Sequence, residues 1–252
     1  MKRLRGIAFL VPLLASCATP QPQVETAQRA MARELIARGD YARAFAAIDP
    51  VCRAHPRDAE ALALRGVIYR EQGLPGEARA DLEEAVRIAP KHAAAHSALA
   101  VLQDTSGDRE QALEHHQTAA TLEPTNPSYL NNLGFALFAR GRARESIPVL
   151  REALRSAPAD ARIRNNLGFS YAATGDFVSA AEQFARAGSA SQARNNLGYA
   201  YERRGNAGQA FDLYAEALRL DPGAPAARLN LERVARQLHR EVPADLAPTA
   251  QR

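Results

Sequence analysis

Apolar and small residues return along this chain at a fixed interval. Leu130, Leu133, Gly134 and Leu137 recur at i, i+3, i+4 and i+7, which marks one face of a helix. After Gly141 comes a second stripe, Ser146, Leu150 and Ala153. Pro158 closes it, because proline cannot continue the helical hydrogen-bond ladder. The same pattern repeats every 34 residues: Gly39, Gly73, Gly107, Gly141 and Gly175 are spaced so, and Pro56, Pro90, Pro124 and Pro158 keep step. A third series, Ala44, Ala78, Ala112, Ser146 and Ala180, runs in phase with both. A period of this length predicts stacked helical hairpins. Gly134, lacking a side chain, lets the second helix approach closely, and Gly141 suits the turn. Asp40, Asp108, Asp176 and Asn206 each follow a turn glycine, where a helix N-cap is wanted. Pro148 falls inside a second helix and predicts a mild kink.

These three series resemble the tetratricopeptide repeat (TPR) family, and the resemblance covers residues 25–224. It implies an all-α fold, a right-handed superhelix of antiparallel helix pairs. The units read 25–58, 59–92, 93–126, 127–160, 161–190 and 191–224; the fifth is short and lacks its closing proline. One hairpin cannot bury enough surface alone, so each unit leans on its neighbours. Residues 225–240 read as a capping helix, with Leu229, Leu231, Val234 and Leu238 turned inward; residues 241–252 read as a flexible tail.

The first residues read as an address. Met1–Arg5 is basic, Ile7–Leu14 is apolar but far short of a membrane span, and Leu14-Ala15-Ser16-Cys17 follows. This resembles a bacterial lipoprotein signal. The resemblance implies removal of residues 1–16, lipidation of Cys17 and a short extended tether over 17–24. Two or more acyl chains attach stably where one does not. Ala18 after the lipidated cysteine implies, for a Gram-negative host, an outer-membrane protein facing the periplasm. The 252 residues carry a net charge of +4, but Lys2, Arg3 and Arg5 leave with the leader and reduce it to +1. The apparent basicity therefore gives no support to nucleic-acid binding. Cys52 would be the one thiol left besides Cys17 and reads as a buried filler.

Candidate binding chemistry lies on the first helices. At about 100° per residue, positions 2, 6, 9 and 13 of a unit face away from the packed side and line the concave surface of a solenoid. Asn132, Asn166 and Asn196 occupy position 6 within three NNLG tetrapeptides; Phe135, Phe169 and Tyr199 occupy position 9; Ser128, Arg162 and Gln192 occupy position 2. An amide both donates to and accepts from a peptide backbone. Helices spaced about 10 Å apart match about three residues of extended chain. Asn132, Asn166 and Asn196 thus either clamp an extended partner segment or are satisfied by water as family-typical residues. In the TPR family, asparagine here contacts peptide ligands. The aromatic trio either grips that segment or packs between repeats. Asn131, Asn165 and Asn195 lie on the flank and suit inter-repeat hydrogen bonds. Replacing Asn132, Asn166 and Asn196 together by alanine is expected to spare the fold and weaken partner capture.

Other chemistry is thin. His116 is expected to pack against His96, with His115 and His239 in solvent, and no carboxylate or cysteine completes a metal set by spacing. The seven arginines Arg140, Arg142, Arg144, Arg151, Arg155, Arg162 and Arg164 make one stretch basic, a solvated face or a surface for an anionic partner. Gly168–Gly175 has no lysine and the wrong spacing for a phosphate loop, and Gly168-Phe169-Ser170 is not a nucleophile elbow. Leader, repeats and cap use nearly the whole chain and leave no room for an enzyme domain, and no cofactor is expected. Residues 165–188, within the shortened unit, and residues 193–206 of the unit after it resemble the Tad/Flp pilus assembly TPR lipoproteins (TadD-like). That implies a scaffold that binds a pilus or secretin component. The type IV pilus secretin pilotins and the NlpI-like adaptors of peptidoglycan hydrolases are the alternatives.

Overall fold

The computed structural model describes residues 21–246. Among them are thirteen α-helices, one short 3₁₀ turn and no strand. The helices form six antiparallel pairs: α1 (Gln21–Ala37) with α2 (Tyr41–Ala54), α3 (Ala59–Glu71) with α4 (Pro75–Ile88), α5 (Ala93–Ser106) with α6 (Arg109–Leu122), α7 (Pro127–Ala139) with α8 (Ala143–Ser156), α9 (Ala161–Thr174) with α10 (Phe177–Ala187), and α11 (Ala190–Arg203) with α12 (Ala207–Leu220). A single helix, α13 (Pro225–Leu238), packs on α12 and α11. Five of the six second helices are 14 residues long, whereas α10 has 11.

The hairpins close at glycine. A Cβ on Gly66 would lie 2.6 Å from Leu82 Cγ, one on Gly134 2.5 Å from Leu150 Cγ, and one on Gly168 2.6 Å from Phe184 Cε1. No real side chain fits there, so the second helix lies directly on the first. The turn glycine at 141 has φ +76°, a left-handed conformation that a Cβ disfavours. Small residues complete the contact: Ala44, Ala78, Ala112, Ser146, Ala180 and Ala210 are all fully buried. Ser146, the one polar member, donates to the Gly134 carbonyl at 2.7 Å and meets Ser170 Oγ at 3.0 Å, so its hydroxyl is satisfied.

Several expectations are corrected. Residues 21–24 are the start of α1, not tether; the leader 1–16, Cys17 and the remaining tether lie outside the described residues. Residues 241–246 are not loose: Leu246 is buried among α12 and α13, and Asp245 pairs with Arg219 at 3.0 Å. Residues 247–252 lie outside the described residues. Asp40, Asp176 and Asn206 do cap their helices, but Asp108 does not, because Arg79 takes its carboxylate at 2.8 Å. Pro148 lies inside α8 as expected, and α2 likewise contains Pro50. Arg65 bridges Asp49 at 3.0 Å and Asp81 at 2.7 Å, a part-buried triad that ties α2, α3 and α4 together.

The histidines also differ from expectation. His96 meets His115, Nδ1 to Nδ1 at 2.9 Å, while His116 is buried against Asp104 at 2.9 Å. His96 Nε2 donates to the Pro90 carbonyl at 3.0 Å, and the Nδ1–Nδ1 contact has one ring donating and the other accepting. Burial pushes both His115 and His116 below the ordinary histidine pKa; for His116 the Asp104 carboxylate opposes this without overcoming it.

Two outcomes follow from these contacts. Gly134→Ala should lower stability in urea by about 1–2 kcal/mol, since overpacking outweighs the gain in helix propensity. Gly76→Ala, with nothing near its Cβ, should be neutral or slightly stabilising. Stability should fall as pH drops from about 7.5 through about 6.5, because there the unfolded chain binds protons that His115 and His116 refuse. The loss levels off below their folded pKa values. Urea midpoints between pH 7.5 and 5.5 measure it, and His115→Gln should flatten the slope.

Candidate functional site: the inner groove

The first helices lie on the inside of the array. Helix α1 touches α3, α3 touches α5, α7 touches α9, α9 touches α11 and α11 touches α13, while α5 and α7 stand further apart and are joined by the Asn132–Ser97 hydrogen bond; successive second helices make no comparable contact. An array closer-packed on one side curves around it. Positions 2, 6, 9 and 13 of α1 to α11 therefore face a shared concave surface.

A ladder of amides runs along that surface. Asn166 Nδ2 donates to Asn131 Oδ1 at 2.8 Å, Asn196 Nδ2 to Asn165 Oδ1 at 3.0 Å, and Asn230 Nδ2 to Asn195 Oδ1 at 3.0 Å. The first rung is longer: Asn132 Nδ2 donates to Ser97 Oγ at 3.4 Å. Each rung joins position 6 of one first helix to position 5 of the one before. The flanking Asn131, Asn165 and Asn195 thus accept inter-repeat bonds as their placement predicts. The groove asparagines also spend one donor on the neighbouring repeat. Among the described residues, Asn132 Oδ1 and Asn166 Oδ1 accept no hydrogen bond, while Asn196 Oδ1 has a weak one from Asn195 at 3.5 Å. Two carbonyl oxygens and the second N–H of each amide remain for a ligand.

The aromatic trio divides. Phe135 is 50% exposed and Tyr199 42% exposed, high values for rings on a packed helix. Phe169 is half-buried, edge-on to Phe184 at 4.8 Å and to Tyr199 at 5.9 Å, with Phe138 at 6.4 Å. Phe169 is therefore inter-repeat packing that props Tyr199, and Phe135 and Tyr199 are the rings available to a partner. Val67 and Val101 hold the same position in earlier units, partly buried, so the apolar stripe runs further toward the N-terminal units than the NNLG segments suggest. Arg162 is exposed at the groove edge, 4.0 Å from Asp160, too far for a strong pair. Arg233 closes the other end by pairing with Glu202, whose carboxylate it holds below its ordinary pKa, helped by the Tyr214 hydroxyl at 2.8 Å. Nothing in the spacing announced that lock.

No group of three histidine, cysteine or carboxylate side chains among the described residues is placed to hold a metal ion. Cys52 is buried, and burial pushes its thiol up to about 11, so it is protonated at neutral pH and a poor nucleophile.

Comparison with known proteins places these features. Tetratricopeptide repeat models match residues 29–93, 131–190 and 182–225, and a second such model matches 69–134. The type IV pilus assembly protein PilF of Pseudomonas aeruginosa is 34% identical over 88 residues, 35% of this chain and 35% of that protein. The TPR repeat-containing protein PA4299 of the same organism is 31% identical over 156 residues, 56% of this chain and 60% of that one. The matches thus span from about a third to three-fifths of these relatives. A solved structure of P. aeruginosa pilF superposes with a TM-score of 0.67 at 15% identity, covering 86% of this chain and 98% of that one.

The ladder should stabilise the stack. Replacing Asn132, Asn166 and Asn196 together by alanine should cost about 2–4 kcal/mol, near 1 kcal/mol per lost hydrogen bond plus the Asn131 and Asn165 oxygens left unpaired. This reverses the expectation that the fold is spared, and thermal unfolding measures it.

Proposed function

The chain belongs to the tetratricopeptide repeat family, and we propose that it is a membrane-anchored scaffold that captures an extended segment of a partner protein in the groove of its C-terminal units. One observation carries this: Phe135 and Tyr199 stand exposed beside Asn132 and Asn166 oxygens that accept nothing from the protein. A partner backbone would donate to those oxygens while its apolar side chains rest against the two rings. The inter-repeat rungs orient the amides beforehand, so little side-chain entropy is lost on binding. Val67 and Val101 extend the contact for a longer segment. Arg162 offers a charge to an acidic residue at the edge.

The partner is a pilus or secretion-channel component, and the protein acts in assembly, at the periplasmic side of the outer membrane, through a lipid on Cys17. The similarity to a type IV pilus assembly protein supports that role. The Tad/Flp pilus machinery is the first choice, because the NNLG segment of the shortened unit and that of the unit after it resemble that family; a secretin pilotin is the second. An adaptor for peptidoglycan hydrolases is the remaining alternative. The role is non-catalytic and needs no cofactor.

Crosslinked capture from membranes, followed by mass spectrometry, tests the proposal. Wild-type protein should recover a secretin or pilus subunit, and Phe135→Ala with Tyr199→Ala should reduce recovery at least tenfold, about 1.4 kcal/mol, with the melting temperature unchanged. Recovery of wall hydrolases instead would reject the pilus role; equal recovery by the double variant would reject the groove. Cys17→Ser should release the protein from carbonate-washed membranes, and its retention there would reject the lipid anchor.

A further inference from the structure

Arg164 occupies position 4 of its unit, where Leu62 and Leu130 are buried in theirs. It is only 8% exposed, yet among the described residues no carboxylate lies within ion-pair distance of it. Its guanidinium donates to the Pro158 carbonyl and, at 3.1 Å, to Gln183 Oε1, which leaves three of its five N–H groups without an acceptor among the described residues. Burial lowers its proton affinity and the nearby charge of Arg186 lowers it further, while the Glu182 carboxylate, beyond ion-pair distance and itself paired with Arg186, opposes this without overcoming it. A buried, unneutralised cation is costly unless something compensates it.

The place around it is built. A depression of about 320 Å³ opens beside Arg164 between α8, α9 and the shortened α10. Arg151, Arg155 and Arg186 surround it, with Leu154 and Tyr171 as apolar wall. Arg155 is paired with Glu152 and Arg186 with Glu182 at 3.3 Å, whereas Arg151, like Arg164, has no carboxylate partner. Two arginines in one notch therefore have no carboxylate in direct ion-pair contact among the described residues. It is formed largely by the second helices α8 and α10, away from the inner groove, and so involves none of the groove residues named above.

We propose that this notch is a binding site for a phosphate-class oxyanion, with Arg164 at its base and Arg151 at its rim. Planar guanidinium forks match the oxygen geometry of phosphate, and two free cations match the charge of a phosphate monoester. The volume is at the low end for small-ligand pockets and admits the phosphoryl group with part of its ester. The source is either a soluble phosphate ester or a phospholipid headgroup.

The test is a titration of the full chain with inorganic phosphate in low-chloride buffer, followed by NMR of the arginine Nε–H signals. The Arg151 and Arg164 signals should move saturably, and added chloride should weaken the binding. Arg164→Gln should reduce affinity about tenfold, equivalent to 1.4 kcal/mol. Arg151→Gln, at an exposed side chain without an ion pair, keeps the fold intact and should also weaken binding severalfold. Arg219→Gln, at the distant pair with Asp245, should change nothing. Phosphate binding unaffected by Arg151→Gln overturns the proposal, as does tighter binding of a polyglutamate peptide than of phosphate. Arg151-dependent capture by phosphatidylglycerol vesicles but not by phosphatidylcholine vesicles identifies the lipid source. Saturable phosphate binding without such capture identifies the soluble one.

Discussion

The array depends on helices touching where glycine removes the side chain between them. At Gly66, Gly134, Gly168 and Gly198 the facing Leu82, Leu150, Phe184 and Tyr214 fill the space a Cβ would need. That contact sets the distance within each pair and, with the fully buried small residue early in the second helix, the tilt of that helix. A pair so closed still exposes one apolar flank, which only the next pair can cover. The inward row of first helices, and hence the groove, follows from this stacking. The groove's amide rungs and Phe169 add to that stacking, whereas the exposed Phe135 takes no part in those rungs.

The features that repeat were legible in the chain: the period, the turn glycines, the small buried position and the order of the pairs. What repeats reports on the backbone, and the backbone is what each unit must share. Features that occur once were not legible. Spacing placed His116 opposite His96, but a side chain one position along, His115, makes the contact, because each leans from its Cα by an amount periodicity does not resolve. Asp108 matches the other caps in position and is drawn off by Arg79, a competitor 29 residues away. Leu246 looked like part of a polar tail, yet the last pair and α13 leave an apolar surface, and that leucine covers it.

The asparagines show why a position can be found and its use misjudged. Their place on the inner face was readable from the angle per residue. Their bonding was not, since it needs the height of one helix relative to the next, a quantity that appears only after stacking. The outcome is not a choice between ligand and scaffold. One N–H of each amide fixes the side chain to the neighbouring repeat, and on Asn132 and Asn166 the oxygen stays unbonded. A buried or half-buried amide that is held on one side and open on the other is better prepared for a ligand than one turning freely in water.

The same logic separates the two surfaces of the molecule. On the inner side, polar groups are partly satisfied and neutral, which suits a peptide backbone whose own groups are neutral. On the outer side, Arg164 breaks the leucine pattern at the one pair whose second helix is three residues short. A leucine there would lie over the gap with its apolar surface in water; an arginine can span it with an apolar stem and a charged head. That explains tolerance of arginine at the position, but not the absence of a carboxylate, since Arg194 at the corresponding place in the next pair has Glu216 at 3.0 Å. Local rules are broken most often where a site is built. The missing counter-charge at Arg164, in a chain that pairs most of its other arginines, is the departure that distinguishes this notch from an ordinary basic face.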